Sequence, residues 1–407
     1  MDIFLTEKVE KCVGKKYTAM SALYPATFKL AISEAVEEIY SKLQPRSILD
    51  ILFGWLLPGR STFVNIDRAK EGYIETALIG GAFKLKGKKI RATIYVKDSG
   101  NYKEVWIFTK PADNPKDIMS IFEDWIKNRN PLHKKVINIF GEIEELGGYS
   151  WEDIAIPLNF RIEIEENLVW PIKYLDKIKN LNINVARGVL LEGERGMGKT
   201  TLTKIIGREI KGHGTYIRAR PSDIQKLGWD YVFEVAKTLA PSLLCIEDIE
   251  NLTPSTKTPD IGAFLTDFLD YLDGVKERGD VLILATTNEP DLMDLRVIDR
   301  PGRIDRRLRL DPKDKKNFGK EWKMRVLSIH LKNFRLDKNL RIEDIADIIS
   351  EIPYTGAHIK ELVYTAALQA LRREGIDGKL DNLILTREDF EKANEILKLQ
   401  LKIQYSG

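Results

Sequence analysis

Cysteine and histidine are scarce in this sequence, net charge is small, and no long hydrophobic run is present. Its 407 residues include two cysteines, Cys12 and Cys245, and four histidines. Cysteines so far apart form neither a disulfide framework nor a zinc-ligand spacing, so a reducing compartment, the cytoplasm, is expected. A net charge of +3 points to no particular class of partner. The small excess sits early in the chain, with 23 basic against 19 acidic residues before position 151, too few to imply nucleic acid by themselves. The most apolar stretch, Ile48 to Leu57, is about half the ~20 residues that span a bilayer. It reads as a buried core helix, and no membrane span is expected. Met1 to Phe4 lacks the basic-then-apolar pattern of a signal peptide. There is no internal repeat and no low-complexity tract.

What remains is ordinary globular material, 43% hydrophobic and 31% charged, in a length that suits two or three domains with real cores. Residues 28–44 carry apolar side chains at helical spacing and stop before Pro45, and a second helix is expected over 47–57, ending at Pro58-Gly59. From Thr62 to Thr109 the pattern is that of strands: Tyr73-Ile74, Lys89 to Val96 and Val105 to Phe108, with turns at Gly80-Gly81, Gly87 and Ser99-Gly100. A helix over about 115–128 closes an α+β unit, assigned to residues 1–147. Beyond it, the apolar runs Gly188–Leu191, Leu243–Ile246 and Val281–Ala285 alternate with helical patterns, the mark of parallel βαβ units. This part is assigned to 148–312. From about 315 the pattern is wholly helical (317–334, 342–350, 356–373, 387–402), giving a lid over 313–407. The expected fold is thus an α/β core with a parallel sheet, a small C-terminal helical lid and a separate N-terminal α+β domain.

Chemistry concentrates first at Gly193-Glu-Arg-Gly-Met-Gly-Lys199-Thr200, which fits G-x-x-x-x-G-K-[ST] between an apolar strand and the helical pattern Thr201 to Ile210. Glycines let backbone N–H groups converge on phosphate oxygens, and a helix N-terminus adds partial positive charge. Lys199 is placed to reach the outer phosphates and the Thr200 hydroxyl to ligate Mg²⁺. Gly193, Gly196, Met197, Gly198 and Thr201 complete the loop.

The strand Ser242 to Ile246 ends in Glu247-Asp248. One carboxylate at that position can hold Mg²⁺ through water, and its neighbour can orient an attacking water. Glu247 is assigned to the metal with Thr200, and Asp248 to the water, with the reverse assignment left open. A third strand ends in Thr286-Thr287-Asn288, whose amide can bond the γ-phosphate or the water. Then comes Asp299-Arg300-Pro-Gly-Arg303-Ile-Asp305-Arg306-Arg307, an arginine cluster suited to clamping anions.

In this order and spacing, these elements resemble the AAA ATPases, the protein-remodelling branch of the AAA+ group, over about residues 150–400. Trp151-Glu-Asp-Ile154 looks like the family's opening segment, Arg187-Gly-Val-Leu-Leu191 its strand before the phosphate loop, and Leu272-Asp273-Gly274 its L-[MD]-D-G stretch. Ala285-Thr-Thr-Asn288 is similar to sensor 1, Arg300-Pro-Gly-Arg303-Ile-Asp305 to the second region of homology, and Thr355-Gly356-Ala357 to the start of the sensor 2 helix. The resemblance implies ATP as ligand and Mg²⁺ as its companion. It implies that Asn288 is sensor 1 and that Arg300 and Arg303 are arginine fingers reaching a neighbour's nucleotide. Val326 and His330 fall at lid positions near adenine and ribose, and Gly356 and Ala357 close over the nucleotide. Fingers acting in trans imply a homo-oligomeric ring, usually a hexamer, acting on a protein substrate.

The departures are specific. Glu194-Arg195 replaces the usual Pro-Pro, the acidic pair reads Glu-Asp instead of Asp-Glu, one extra residue lies between Asp294 and Arg300, and His358 stands where Asp is usual. The stretch from Pro221 to Pro241 is short, and Leu227-Gly228-Trp229 only partly matches an aromatic pore loop. The Glu-Asp pair and the short loop are similar to features of the branch containing the mitochondrial translocase of the Rieske iron–sulfur protein.

The sequence therefore leads to a ring-forming ATP hydrolase that remodels or moves a protein. A nucleic-acid-associated ATPase is the alternative, resting on Lys84-Leu-Lys-Gly-Lys-Lys-Ile-Arg91 with Tyr95, Tyr102 and Trp106 nearby. That pattern fits a solvated hairpin turn over core aromatics better. A slow nucleotide-driven scaffold is the third reading, left open by the swapped acidic pair.

Overall fold

The computed structural model of the chain describes all residues except 1–2, 45–62, 72, 183–184, 186, 253–258, 274–278, 294–303, 305, 375–382 and 406–407. The apolar stretch Ile48–Leu57 with its expected helix, and Gly274, Arg300, Arg303 and Asp305, therefore lie outside the described residues. The chain forms two compact units, one made of Met1–Ile143 with Leu227–Ala240, the other of Glu144–Lys226 with Pro241–Gly407.

The first unit is built on an antiparallel five-stranded sheet in the order β1-β5-β4-β3-β2. Its strands are β1 (Thr18–Pro25), β2 (Phe63–Arg68), β3 (Ile74–Leu85), β4 (Lys88–Ser99) and β5 (Tyr102–Thr109). Helices α1 (Ile3–Val13) and α2 (Lys29–Ser41) pack on it, and α3 (Lys116–Lys127) packs on α2. Leu5, Val9, Cys12 and Val13 of α1 form one cluster with Phe108 of β5, and Tyr17, Leu78, Tyr95 and Trp106 pack against it. The sequence pattern does not single out α1 and β1. In β1 the residues are mostly exposed or half-buried, and a strand that buries so little carries little apolar alternation. The β3–β4 turn is Lys86-Gly87, with φ of +47° and +79°, the two-residue geometry that matches strand twist.

The segment Leu227–Ala240 belongs to this first unit although it lies far along the chain. Its helix, Trp229–Thr238, buries Trp229, Tyr231, Val232, Phe233 and Val235. The Thr27 N–H donates to the Tyr231 hydroxyl at 3.2 Å, and the Tyr231 ring meets Tyr102 edge-on at 5.4 Å. Trp229, the aromatic of the partial pore-loop match, is 2% exposed. It is a core residue of this helix rather than a displayed one.

In the second unit, β6 (Gly188–Gly193), β7 (Thr215–Ala219), β8 (Ser242–Ile246), β9 (Val281–Thr287) and β10 (Arg306–Leu310) run parallel in the order β10-β6-β9-β8-β7. β8 and β9 are buried at every position, as parallel strands covered on both faces must be. β10 ends the sheet with Arg306, Arg307 and Arg309 exposed, charges that keep an edge from pairing with another chain. Because the strands are parallel, the C-terminal ends of β6, β8 and β9 emerge on one side, where ligands bind in open α/β sheets.

Helix α4 (Lys199–Ile210) follows β6, and α5 (Lys320–Leu331), α6 (Ile342–Ile348), α7 (Gly356–Glu374) and α8 (Arg387–Tyr405) make up the C-terminal part. That part is not wholly helical. Arg335–Leu336 pairs with Ile384–Leu385 in a short parallel ladder, and the helix expected over 317–334 is divided at Gly319 into Lys315–Phe318 and α5. Lys323 of α5 is buried and donates to the carbonyls of Ile349, Ser350 and Ile352 at 2.6–2.9 Å. These are carbonyls at and beyond the end of α6, which has no further turn of its own to satisfy them. The α/β core with a parallel sheet, the helical C-terminal part and the N-terminal α+β unit are those the sequence led to expect.

Candidate nucleotide site

The loop after β6 is shaped by glycine at its tightest points. Gly196 has φ +86°, and a Cβ there would lie 2.6 Å from the Ala357 Cβ and 2.9 Å from the Thr355 hydroxyl. The Ala357 N–H donates to the Gly196 carbonyl at 3.0 Å. The loop and the start of α7 thus touch through backbone, which only glycine permits. Gly198, with φ +87°, caps α4 without a side-chain hydrogen bond, so the first-turn N–H groups are left for an anion.

Lys199 is buried, and its Nζ donates to the carbonyls of Gly193 and Glu194 at 2.5 and 3.0 Å. Burial lowers its pKa below the usual lysine value; the Asp248 and Glu250 carboxylates oppose that shift.

The acidic pair divides its contacts. Glu247, at the end of β8, has an oxygen 3.8 Å from the Arg218 guanidinium, which itself grips Glu144 with two nitrogens. Burial raises the Glu247 pKa and the adjacent Asp248 adds to it, while Arg218 pulls the other way. Asp248 turns away. Its backbone is left-handed at φ +50°, an uncommon conformation for a non-glycine residue that is tolerated at functional turns. Its N–H donates to the Thr286 hydroxyl at 3.2 Å, and its carboxylate accepts from the Asn288 amide at 2.7 Å. Since the Arg218 guanidinium opposes that rise, Arg218→Met should raise the Glu247 pKa further and move the acid limb of nucleotide-dependent activity to higher pH. A pH–rate profile checks this; an unmoved limb would mean that Glu247 does not titrate in that limb.

A cleft of about 1080 Å³ collects these groups. Gly196, Met197, Gly198, Lys199, Thr200 and Thr201 line it from the loop and α4. Glu247, Asp248 and Asn288 line it from the strand ends, Val326 and His330 from α5, and Gly356 and Ala357 from α7. Gly193 underlies the loop through its carbonyl and is not on the cleft wall. The fingers, Arg300 and Arg303, lie outside the described residues. Burial and the nearby Lys360 lower the His330 pKa. Two bonds tie α5 to the opening segment, from Trp322 Nε1 to the Ala155 carbonyl at 2.6 Å and from Arg325 to the Ile156 carbonyl at 3.1 Å.

The cleft also holds residues that sequence reasoning passed over, chiefly Arg195, Glu250 and Lys360. For Glu250 a signal existed, an acid two positions after Asp248, but a lone glutamate after a strand has no distinguishing pattern.

Residues 189–312 match the family described as ATPase family associated with various cellular activities (AAA). They are an AAA ATPase domain. The AAA domain holds Gly193, Gly196, Lys199, Thr200, Glu247, Asp248 and Asn288 within its bounds. The chain is 28% identical over 337 residues to a cell division cycle protein 48 homolog of Archaeoglobus fulgidus, covering 78% of this chain and 43% of that protein. It is 29% identical over 277 residues to the proteasome-activating nucleotidase of Methanocaldococcus jannaschii, covering 65% and 60%. With protein CdcH of Halobacterium salinarum it shares 31% over 268 residues, covering 61% and 35%. The chain thus spans less than two thirds of the length of each of these relatives. Among the described residues, no helix is long and apolar enough to cross a membrane.

Proposed function

We propose that this chain binds ATP with Mg²⁺, hydrolyses it, and works as a homo-oligomeric, hexameric ring that remodels or moves a protein substrate. The observation that carries the reading is the meeting of Lys199, Asp248 and Asn288 on one cleft at the C-terminal ends of parallel strands, within an AAA domain. The uncapped N–H groups of α4 and the Lys199 ammonium receive the phosphates. Thr200 and Glu247 would hold Mg²⁺. Their fit rests on Thr200 and the half-buried Glu247 lining the same cleft, with the Arg218 guanidinium no closer than 3.8 Å to the Glu247 carboxylate. When bound, the ion neutralises phosphate charge. Asp248, fixed by the Asn288 amide, orients the attacking water, and Asn288 reads the terminal phosphate. Val326 and His330 face the base and ribose, with Gly356 and Ala357 closing from α7. Arg300 and Arg303 serve the neighbouring subunit's nucleotide. A protein substrate is supported by the relatives named as proteasome-activating nucleotidases.

The nucleic-acid alternative loses support from its aromatics, since Tyr95 and Trp106 pack against the α1 cluster and Tyr102 against Tyr231. The test of the main reading is Lys199→Ala. It removes the buried ammonium, and fluorescent-nucleotide titration should show binding lost. Unchanged affinity sinks the assignment.

A further inference from the structure

Asp248 is one methylene shorter than the glutamate usual in the water-orienting position, yet its carboxylate is committed to Asn288. The other side of Asn288 is held by a residue with no assigned role. Glu250, two residues beyond Asp248, accepts the Asn288 backbone N–H on Oε1 at 3.2 Å. Its second oxygen, Oε2, is buried and has no hydrogen-bond partner among the described residues. A buried, unpaired carboxylate oxygen costs stability, so packing does not explain why an acid stands there. Glu250 also lines the nucleotide cleft and opposes the loss of charge on Lys199.

We infer that Glu250 is a positioning residue for hydrolysis, holding the backbone of Asn288 so that its amide sets the short Asp248 carboxylate. The contacts form a closed path. Asp248 and Glu250 leave the same turn after β8, and both end on Asn288, one on its amide and the other on its N–H. Asn288 follows β9, and β9 pairs directly with β8, so the path braces two strand ends against each other. A side chain left-handed at its backbone and short in reach has few ways to be aimed. Fixing its one amide partner from the far side is a means of doing so. The inference rests on the ATPase reading above, and the test separates the two.

The experiment compares Glu250→Met, which removes the acceptor at similar length, with Glu250→Gln, which keeps it. Amide exchange at Asn288, measured without nucleotide, should speed at least tenfold in Glu250→Met and stay near wild type in Glu250→Gln. Turnover of ATP should fall at least tenfold in Glu250→Met with KM little changed, and Glu250→Gln should restore most of it. In an Asn288→Ala background, Glu250→Met should cost almost nothing more, since the path is already broken. Unchanged exchange at Asn288, equal damage by Met and Gln, or full additivity with Asn288→Ala each overturns the inference. If exchange responds as expected but wild-type protein hydrolyses no ATP, the brace is real and the ATPase reading is what fails. Should Glu250→Met not fold, Glu250→Ala removes the same acceptor and carries the comparison with Glu250→Gln, alone and in the Asn288→Ala background.

Discussion

Mixing Arg303→Ala chains with Lys199→Ala chains should restore ATP hydrolysis that neither variant supports alone. The first retains a nucleotide site and lacks the finger it would lend. The second has lost its own phosphate cation but keeps the finger. In a mixed ring, an Arg303→Ala subunit beside a Lys199→Ala neighbour has both halves of one working site. A finger supplied in trans is worth about 10³–10⁵ in rate, so each pure variant should be nearly inert and the mixture should recover a readily measured fraction. Steady-state turnover at increasing mixing ratios, with ring formation followed by sedimentation, provides the measurement. If isolated monomers turn over at the full ring rate, the trans role of Arg303 is wrong. Arg300→Ala belongs in the same series. Arg307, four residues after Arg303, pairs with the buried Glu192 on the strand that leads into the phosphate loop. That pair anchors the strand Arg306–Leu310 beside the strand that leads into the candidate site.

Asp248→Asn should leave Mg-ATP binding intact and cut turnover by roughly 10²–10⁴, the usual worth of a group that positions or accepts a proton. The change removes charge but preserves shape, so ATP should stay bound in a stable ring. Glu247→Gln should instead weaken binding that depends on Mg²⁺ and leave metal-free nucleotide affinity near its starting value. The contacts favour this division of labour. Asp248 is bonded to Asn288, while Glu247 leans toward Arg218. The reversed assignment, in which the longer Glu247 reaches the water, predicts the opposite pair of outcomes. Whichever variant binds Mg-ATP tightly without turning over marks the water-orienting residue. Normal hydrolysis by both would leave the strand end without a catalytic carboxylate. A short Asp248 also predicts slow basal turnover that a protein substrate accelerates.

The phosphate loop was legible in the sequence because its requirements are local. Glycines at positive φ, a lysine and a hydroxyl at fixed offsets, and a strand-to-helix change of period all fall within about twenty residues. The continuous apolar runs of β6, β8 and β9 were legible for the same reason, since strands buried on both faces leave no alternation to be misread. The helix expected over 317–334 failed at its interior boundary, where Gly319 divides it.

Three matters were settled only when the chain folded, and each joins residues far apart in sequence. Glu250 and Asn288 meet because β8 and β9 are neighbours in register; nothing in either segment alone names the other as partner. Tyr95, Tyr102 and Trp106 read better as core aromatics than as a stacking surface, and the segments they pack against, the helices Ile3–Val13 and Trp229–Thr238, came only with the fold. Trp229 sits in a short stretch that only partly matches a pore loop, and its burial in a helix of the first unit came only with the fold. Backbone conformation and periodicity are written in neighbouring residues, so the sequence by itself determined the glycine-shaped loop after β6 and the class of fold. Which acid braces which amide, and which aromatic is covered, depends on strand order and on burial against distant segments, and those only the tertiary structure decided.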